Sequence, residues 1–348
     1  MIKLAIIGTG GMGHSHAERF GSLKDCVLVA ACDVDAARVE DFVAEFSIPS
    51  GYTNADTMLA KEELDAVVIV TPDGAHRALG LKALDAGKHV LCEKPLALNY
   101  SDAREMADAA EKSGRINMVN FSYRRSPAVQ AAREMVRSGQ LGRLLHFSAH
   151  YLQSWLVSDM WGDWRTESQW LWRLSKGHGS QGVLGDIGVH ILDFVSYPAG
   201  EIHEVQCRLK TFHKAPDDRI GDYSLDANDS ALVQVELDNG ALGVVHMSRW
   251  ATGYRNALAL TLHGDRGALR LDLECDDSLL EVCLGDDIDT GTWREKPCPP
   301  TPDNAERFLE SIRTGKNDQP DFARGAAIQQ VLDACFASDA AGKAVPVG

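Results

Sequence analysis

Apolar positions along this chain follow two rhythms. In the first third, short unbroken apolar runs alternate with stretches whose apolar residues recur at helical spacing. Leu4-Ala5-Ile6-Ile7, Val27–Cys32, Ala66–Val70 and Val90-Leu91-Cys92 are the runs. Continuous runs of this length are the pattern of central parallel strands, buried on both faces. Ala17, Phe20 and Leu23 follow the first run at helical spacing, and Ala78, Leu81 and Leu84 follow the third and stop at Gly87. Strands alternating with helices predict a doubly wound parallel sheet. Ile116–Phe121 reads as one more strand, and Ser122-Tyr123-Arg124-Arg125 then leaves the pattern.

From Leu144 onward the rhythm changes to longer strands joined by tight turns. Ala231–Leu237 and Ala241–Met247 flank Asp238-Asn239-Gly240, and Leu258–His263 and Ala268–Leu271 flank Gly264-Asp265-Arg266-Gly267. Apolar runs around Asn-Gly or a short Gly-rich loop are hairpin signals. The fold class expected is therefore α/β: an N-terminal Rossmann domain, residues 1–122, and a C-terminal α+β domain, residues 123–348, with a large, mostly antiparallel sheet. A helix from roughly 324 to 341 carries Ala327, Val331, Ala334 and Cys335 on one face and is expected to pack back on the body.

Composition narrows the class. A length of 348 residues suits two domains. A net charge of −15 argues against nucleic acid or an anionic membrane surface as partner. It does not argue against an anionic cofactor, because a few local amides suffice to bind phosphate. The eight cysteines form no C-x-x-C pair, which reads as buried thiols in a reducing compartment rather than a disulfide framework. No apolar run is long enough to span a bilayer, and the N-terminus enters a strand without a secretory pattern. A cytoplasmic protein is the expectation.

Candidate chemistry lies at the strand ends. The first strand runs into Gly8-Thr9-Gly10-Gly11-Met12-Gly13, a helix follows, and the second strand closes with Asp33, twenty positions beyond Gly13. This is the dinucleotide-binding context: glycines for a tight turn and close backbone approach, a helix N-terminus for the pyrophosphate, and an acid for the ribose hydroxyls. Asp33 would repel a 2′-phosphate, so NAD is expected over NADP; Arg38 is the one nearby cation that complicates this. His14 and His16 read as ordinary residues of the first helical turn. Thr71-Pro72 reads as an N-cap and N1 pair opening the helix that holds His76. Glu93-Lys94-Pro95 ends a buried strand on the same rim, which turns a surface ion pair into a catalytic candidate.

Further on, Asp186, His190 and Asp193 are spaced i, i+4, i+7, so a regular helix would put all three on one face. With a single nitrogen ligand the trio is a poor metal site, and no metal is expected. Acid–base work fits better, because histidine titrates near neutrality and oxidising a secondary alcohol requires removing its proton. Trp161, Trp164, Trp170 and Trp172 crowd one stretch. They read equally as an aromatic wall for a sugar-like ring or as packing for a long surface loop.

Four of these landmarks together resemble the glucose–fructose oxidoreductase/inositol dehydrogenase family: the Gly8–Gly13 loop with Asp33, the Thr71–His76 turn, Glu93-Lys94-Pro95, and Asp186-Ile187-Gly188-Val189-His190. The resemblance implies NAD-dependent oxidation of a secondary hydroxyl on a cyclic polyol or pyranose sugar. It implies His190 as proton acceptor, with Asp186 orienting the imidazole or a substrate hydroxyl and Lys94 polarising the reacting oxygen or sharing in the proton relay. Gly8, Thr9, Gly10, Gly11, Met12, Gly13, Asp33, Thr71, Pro72, His76, Glu93 and Lys94 would hold the cofactor; Tyr123, Arg124 and Trp172 would join Lys94, Asp186 and His190 around the substrate. It also implies a homo-oligomer, dimer or tetramer, assembled through the large sheet. An NADPH-dependent sugar reductase, an NAD-dependent glycosidase working by transient oxidation, and a non-catalytic NAD-sensing regulator stay open at this point.

Overall fold

A computed structural model describes residues 1–348. The chain divides into two compact units, Met1–Ser122 with Pro302–Gln329, and Tyr123–Thr301 with Gln330–Gly348. A change of unit falls at residue 122, as read from the sequence, but residues 302–329 return to the first unit instead of staying in the second. The reason is an amphipathic helix, Asn304–Thr314, opened by a reciprocal capping box between Asp303 and Glu306. It places Ala305, Phe308 and Leu309 in the same core cluster as Leu4, Ile6 and Val68 of the first sheet.

That first sheet has six parallel strands: β1 Ile2–Ile7, β2 Cys26–Cys32, β3 Ser50–Tyr52, β4 Ala66–Ile69, β5 His89–Cys92 and β6 Asn117–Val119. They lie in the order β3-β2-β1-β4-β5-β6. The unbroken apolar runs are explained by burial on both faces, with Leu4, Ala5, Ile6 and Val68 among the fully buried residues. The connecting helices are locally specified. Asp35, Asn54 and Asn99 each cap the helix that follows with a side-chain oxygen. Strand order reverses between β1 and β4, which opens the ligand crevice of a doubly wound sheet at their carboxyl ends.

The second unit is built on a nine-stranded sheet, with a separate two-stranded pair beside it. After β7 Leu144–Gln153 come β8 Ile202–Lys210, the separate pair β9 Arg219–Ile220 and β10 Tyr223–Ser224, β11 Ser230–Leu237, β12 Leu242–Ser248, β13 Asn256–Gly264, β14 Gly267–Asp272, β15 Leu279–Leu284, β16 Arg294–Pro297 and β17 Val345–Pro346. The large sheet runs β16-β15-β14-β13-β7-β12-β11-β8-β17. Both expected hairpins are present, as β11–β12 and β13–β14. Only β12 against β7 is parallel. Inward residues such as Phe147, Ala149, Tyr151, Val233, Val235, Val245 and Met247 are buried, whereas their strand neighbours face out with a period of two.

Two helices of this unit, Pro127–Arg137 and Val189–Ala199, pack on each other, and the second lies against β7. A buried ion pair fixes the start of the unit to the second helix. Arg124 Nε and Nη2 donate to the two oxygens of Asp193 at 2.8 and 2.6 Å, with side-chain exposures of 3% and 2%. The Arg124 guanidinium also lies 3.9 Å from the centre of the Tyr197 ring. The expected substrate role of Arg124 is therefore corrected: its charged fork is spent on Asp193 inside the unit. Asp193→Ala, which strands this guanidinium, is expected to destabilise the second unit by about 3–5 kcal/mol, seen as a lowered urea midpoint. The double change Arg124→Leu with Asp193→Leu is expected to cost far less.

Candidate active site

The candidate cofactor site follows from three strand ends of the first unit. After β1 the chain turns at Gly8, whose φ is +108°, and a Cβ there would meet the Val70 carbonyl oxygen at 2.7 Å. A Cβ at Gly13 would collide with the Gly8 carbonyl oxygen, whereas those of Gly10 and Gly11 would enter open space. The helix Gly11–Gly21 has no side-chain cap and no acidic residue in its first turn. Its first N–H groups and its positive dipole end are thus left for a phosphate. Asp33 is held in place at the end of β2: Oδ2 accepts from Thr9 N at 2.8 Å and Oδ1 from Asp35 N at 3.2 Å. Arg38 pairs with Asp35, Nε to Oδ2 at 3.4 Å, so the one cation near Asp33 already has a carboxylate partner.

The turn after β4 differs from the expectation. Thr71 does not cap a helix with Pro72 at N1. Instead Asp73–Ala75 forms a short 3-10 turn, and the α-helix begins at His76. His76 is fully buried, so it does not face a cofactor. Its ring nitrogens lie 2.9 Å from the Thr71 carbonyl oxygen and 2.8 Å from that of Pro95, which ties the end of β4 to the end of β5.

Glu93 at the end of β5 is buried as well. Oε1 accepts from Asn120 Nδ2 at 2.6 Å and lies 2.9 Å from His16 Nε2, while Oε2 accepts from the Lys94 backbone N–H at 3.1 Å. Asn304 Nδ2 in turn donates to Asn120 Oδ1 at 3.0 Å. Burial alone would push the Glu93 carboxyl up, but the hydrogen bond and charge of His16, the Asn120 amide and the Lys94 charge outweigh it and hold the group down to about 2. Glu93 thus acts on the backbone that presents Lys94, and His16, read from sequence as an ordinary helical residue, is a buried partner of that carboxylate. The Lys94 side chain is half-buried.

The second unit carries Tyr123, Trp172, Asp186 and His190. Leu184–Gly188 winds as a π-helix and continues as the α-helix Val189–Ala199. A π turn breaks the regular α register, and Asp186, His190 and Asp193 accordingly meet different partners. Asp193 faces Arg124. Asp186 Oδ2 accepts from Arg249 Nη2 at 2.9 Å and lies 3.7 Å from Arg173 Nε. The His190 imidazole meets the Tyr123 ring edge-on, with centroids 5.1 Å apart. Arg249 is fully buried and stacks over Trp155 at 4.9 Å. The tryptophan stretch resolves into two roles. Trp164 and Trp155 belong to a small buried cluster with Leu156, Leu171, Leu174 and Leu225, whereas Trp161 and Trp170 are partly buried against it. Trp172 is half-buried, with the Arg173 guanidinium 4.6 Å over its ring.

Sequence similarity agrees with this geometry. Residues 2–121 match the oxidoreductase family with an NAD-binding Rossmann fold, and residues 129–270 match the GFO/IDH/MocA C-terminal domain. The chain belongs to this oxidoreductase family. Among its relatives, levoglucosan dehydrogenase of Pseudarthrobacter phenanthrenivorans is 27% identical over 97% of this chain and 96% of that protein. D-glucoside 3-dehydrogenase of Escherichia coli is 30% identical over 69% of this chain and 68% of its own. A levoglucosan dehydrogenase structure in complex with NADH and L-sorbose superposes with a TM-score of 0.88 at 26% identity, over 100% of this chain and 99% of the other. The protein is an NAD-dependent oxidoreductase whose relatives are sugar dehydrogenases. The uncapped helix, the open space at Gly10 and the oriented Asp33 fit that cofactor. No helix is long and apolar enough to cross a membrane.

Two outcomes test the cofactor site. Asp33→Ala removes a charged acceptor, so NAD binding is expected to weaken about 10- to 100-fold while NADP binding strengthens as the repulsion of its 2′-phosphate is lost, as titrated by fluorescence quenching. Glu93 has a folded value below its ordinary 4.5, so its contribution is full above pH 4.5 and is lost as pH falls through about 2. Glu93→Gln is expected to flatten the stability–pH curve across that window in acid titrations of unfolding.

Proposed function

We propose that this chain oxidises a secondary hydroxyl of a cyclic polyol or a pyranose sugar, with NAD as the acceptor. The reading is carried by the Asp186 carboxylate, which a fully buried Arg249 and the nearby Arg173 hold beside the helix that carries His190. A carboxylate fixed in this way accepts hydrogen bonds and suits a polyhydroxylated ligand, while the His190 imidazole on the helix that follows suits a proton.

NAD, when bound at the glycine loop and Asp33, supplies the two-electron acceptor. The remaining roles fall to this chain. Lys94 donates a hydrogen bond to the reacting oxygen and favours its alkoxide character. His190 takes the hydroxyl proton. Asp186 accepts from a neighbouring hydroxyl and sets which carbon is presented. Trp172, with Arg173 over one face, offers its other face to the apolar side of a sugar ring. Glu93 and His76 act through the backbone on either side of Lys94.

The test is NADH formation, followed by nicotinamide absorbance, across a panel of inositols, aldoses and anhydrosugars. Turnover of at least one of them is expected, and none across the panel would count against the reading. Lys94→Ala and His190→Ala are each expected to lower kcat by about 10²- to 10⁴-fold, with NAD affinity almost unchanged. Near-normal kcat in both would remove the proposed roles.

A further inference from the structure

Tyr123 meets His190 through its ring, and its hydroxyl is engaged elsewhere. The Tyr123 and Tyr151 hydroxyl oxygens lie 2.5 Å apart. Tyr151 Oη donates to Asn256 Oδ1 at 2.9 Å, and Asn256 Nδ2 donates to Tyr123 Oη at 3.1 Å. Because the Tyr151 proton goes to Asn256, the Tyr123 proton goes to Tyr151. The three bonds then form a closed ring that runs in one sense, each polarising the next. Burial, followed by the neighbouring Tyr123, pushes the Tyr151 phenol well above its ordinary range and keeps it a donor.

This ring is anchored in the large sheet. Tyr151 lies on β7 with its side chain buried, and Asn256 opens β13 directly opposite Gln153. Gln153 Nε2 donates to Asn256 Oδ1 at 2.8 Å, and Trp155 Nε1 donates to Gln153 Oε1 at 3.2 Å. The Asn256 backbone N–H is fixed by Glu274 Oε1 at 2.9 Å. The amide is therefore held from both sides, and its orientation leaves Tyr123 one place to be. The Tyr123 ring stands at 81° to the His190 imidazole, so a change in the tilt of one moves the other.

We infer that Tyr151 and Asn256 are positioning residues for His190: they fix the Tyr123 ring through its hydroxyl, and that ring fixes the plane of the imidazole. The inference rests on the role given to His190 above. It replaces the substrate-binding role expected of Tyr123, whose hydroxyl both donates and accepts within the protein.

The test uses the full chain and a readout that needs no substrate. The carbon-bound ring protons of His190, assigned by their loss in His190→Gln, carry a ring-current shift from Tyr123 that Tyr123→Leu removes. In Tyr151→Phe and in Asn256→Leu the signal is expected to move at least halfway to its Tyr123→Leu position. With a sugar substrate, both variants are expected to lose about tenfold in kcat through misplacement of the imidazole, with KM for NAD unchanged. A His190 signal that stays at the wild-type position in folded Tyr151→Phe overturns the inference. Tyr151→Phe removes a single oxygen and carries the test if Asn256→Leu does not fold. A wild type without turnover on any sugar would remove the functional reading and leave the NMR comparison to decide the ring.

Discussion

A carboxylate buried in a protein interior must be paired and hydrogen-bonded or it will not stay ionised. Glu93 meets that condition with four elements of the first unit. Helix Gly11–Gly21 supplies His16, the residues after β6 supply Asn120, the helix Asn304–Thr314 supplies Asn304 behind it, and the chain after β5 supplies the Lys94 amide. The same helix that gives His16 begins at the phosphate-binding loop, so the loop and the Lys94 strand end are held by one charge. Shifting any of these elements by an ångström would leave the carboxylate underbonded, so its pairing constrains all of them at once.

The second unit solves a related problem with different chemistry. Asp186 is fixed by a guanidinium that is itself buried on an indole, and His190 is fixed by an aromatic contact backed by neutral hydroxyls and amides. The small aromatic cluster around Trp155 and Trp164 does for this loop region what the sheet does for β7. It gives a buried seat to polar groups that otherwise have no regular ladder to bond with.

Much of the plan was legible in the sequence, for particular reasons. Continuous apolar runs and the Gly8–Gly13 context specified the parallel sheet and its cofactor rim, because burial on both faces and backbone approach to phosphate constrain residue type strongly. The Asn239-Gly240 turn marked its hairpin in the same way. What was not legible depended on contacts between distant residues. Nothing near His16 shows that it meets a residue 77 positions away, and a π turn at Leu184–Gly188 leaves no periodicity to read. Tyr151 and Asn256 sit on ordinary strands whose alternation signals only burial, and Arg249 lies in the bend just after β12. Helix 304–314 is not among the elements read from the sequence, and even its capping box does not say which core the helix completes.

The return of that helix to the first unit has a consequence for biosynthesis. The six parallel strands are all synthesised by residue 119, yet Phe308 and Leu309 belong to their core. At usual elongation rates the missing helix emerges on the order of ten seconds or more after β6. Over that interval eight of the nine strands of the large sheet leave the ribosome while the nucleotide-binding unit still has an uncovered apolar patch. The first unit to begin folding is thus among the last to finish, and its exposed face is the natural point for chaperone capture of the nascent chain.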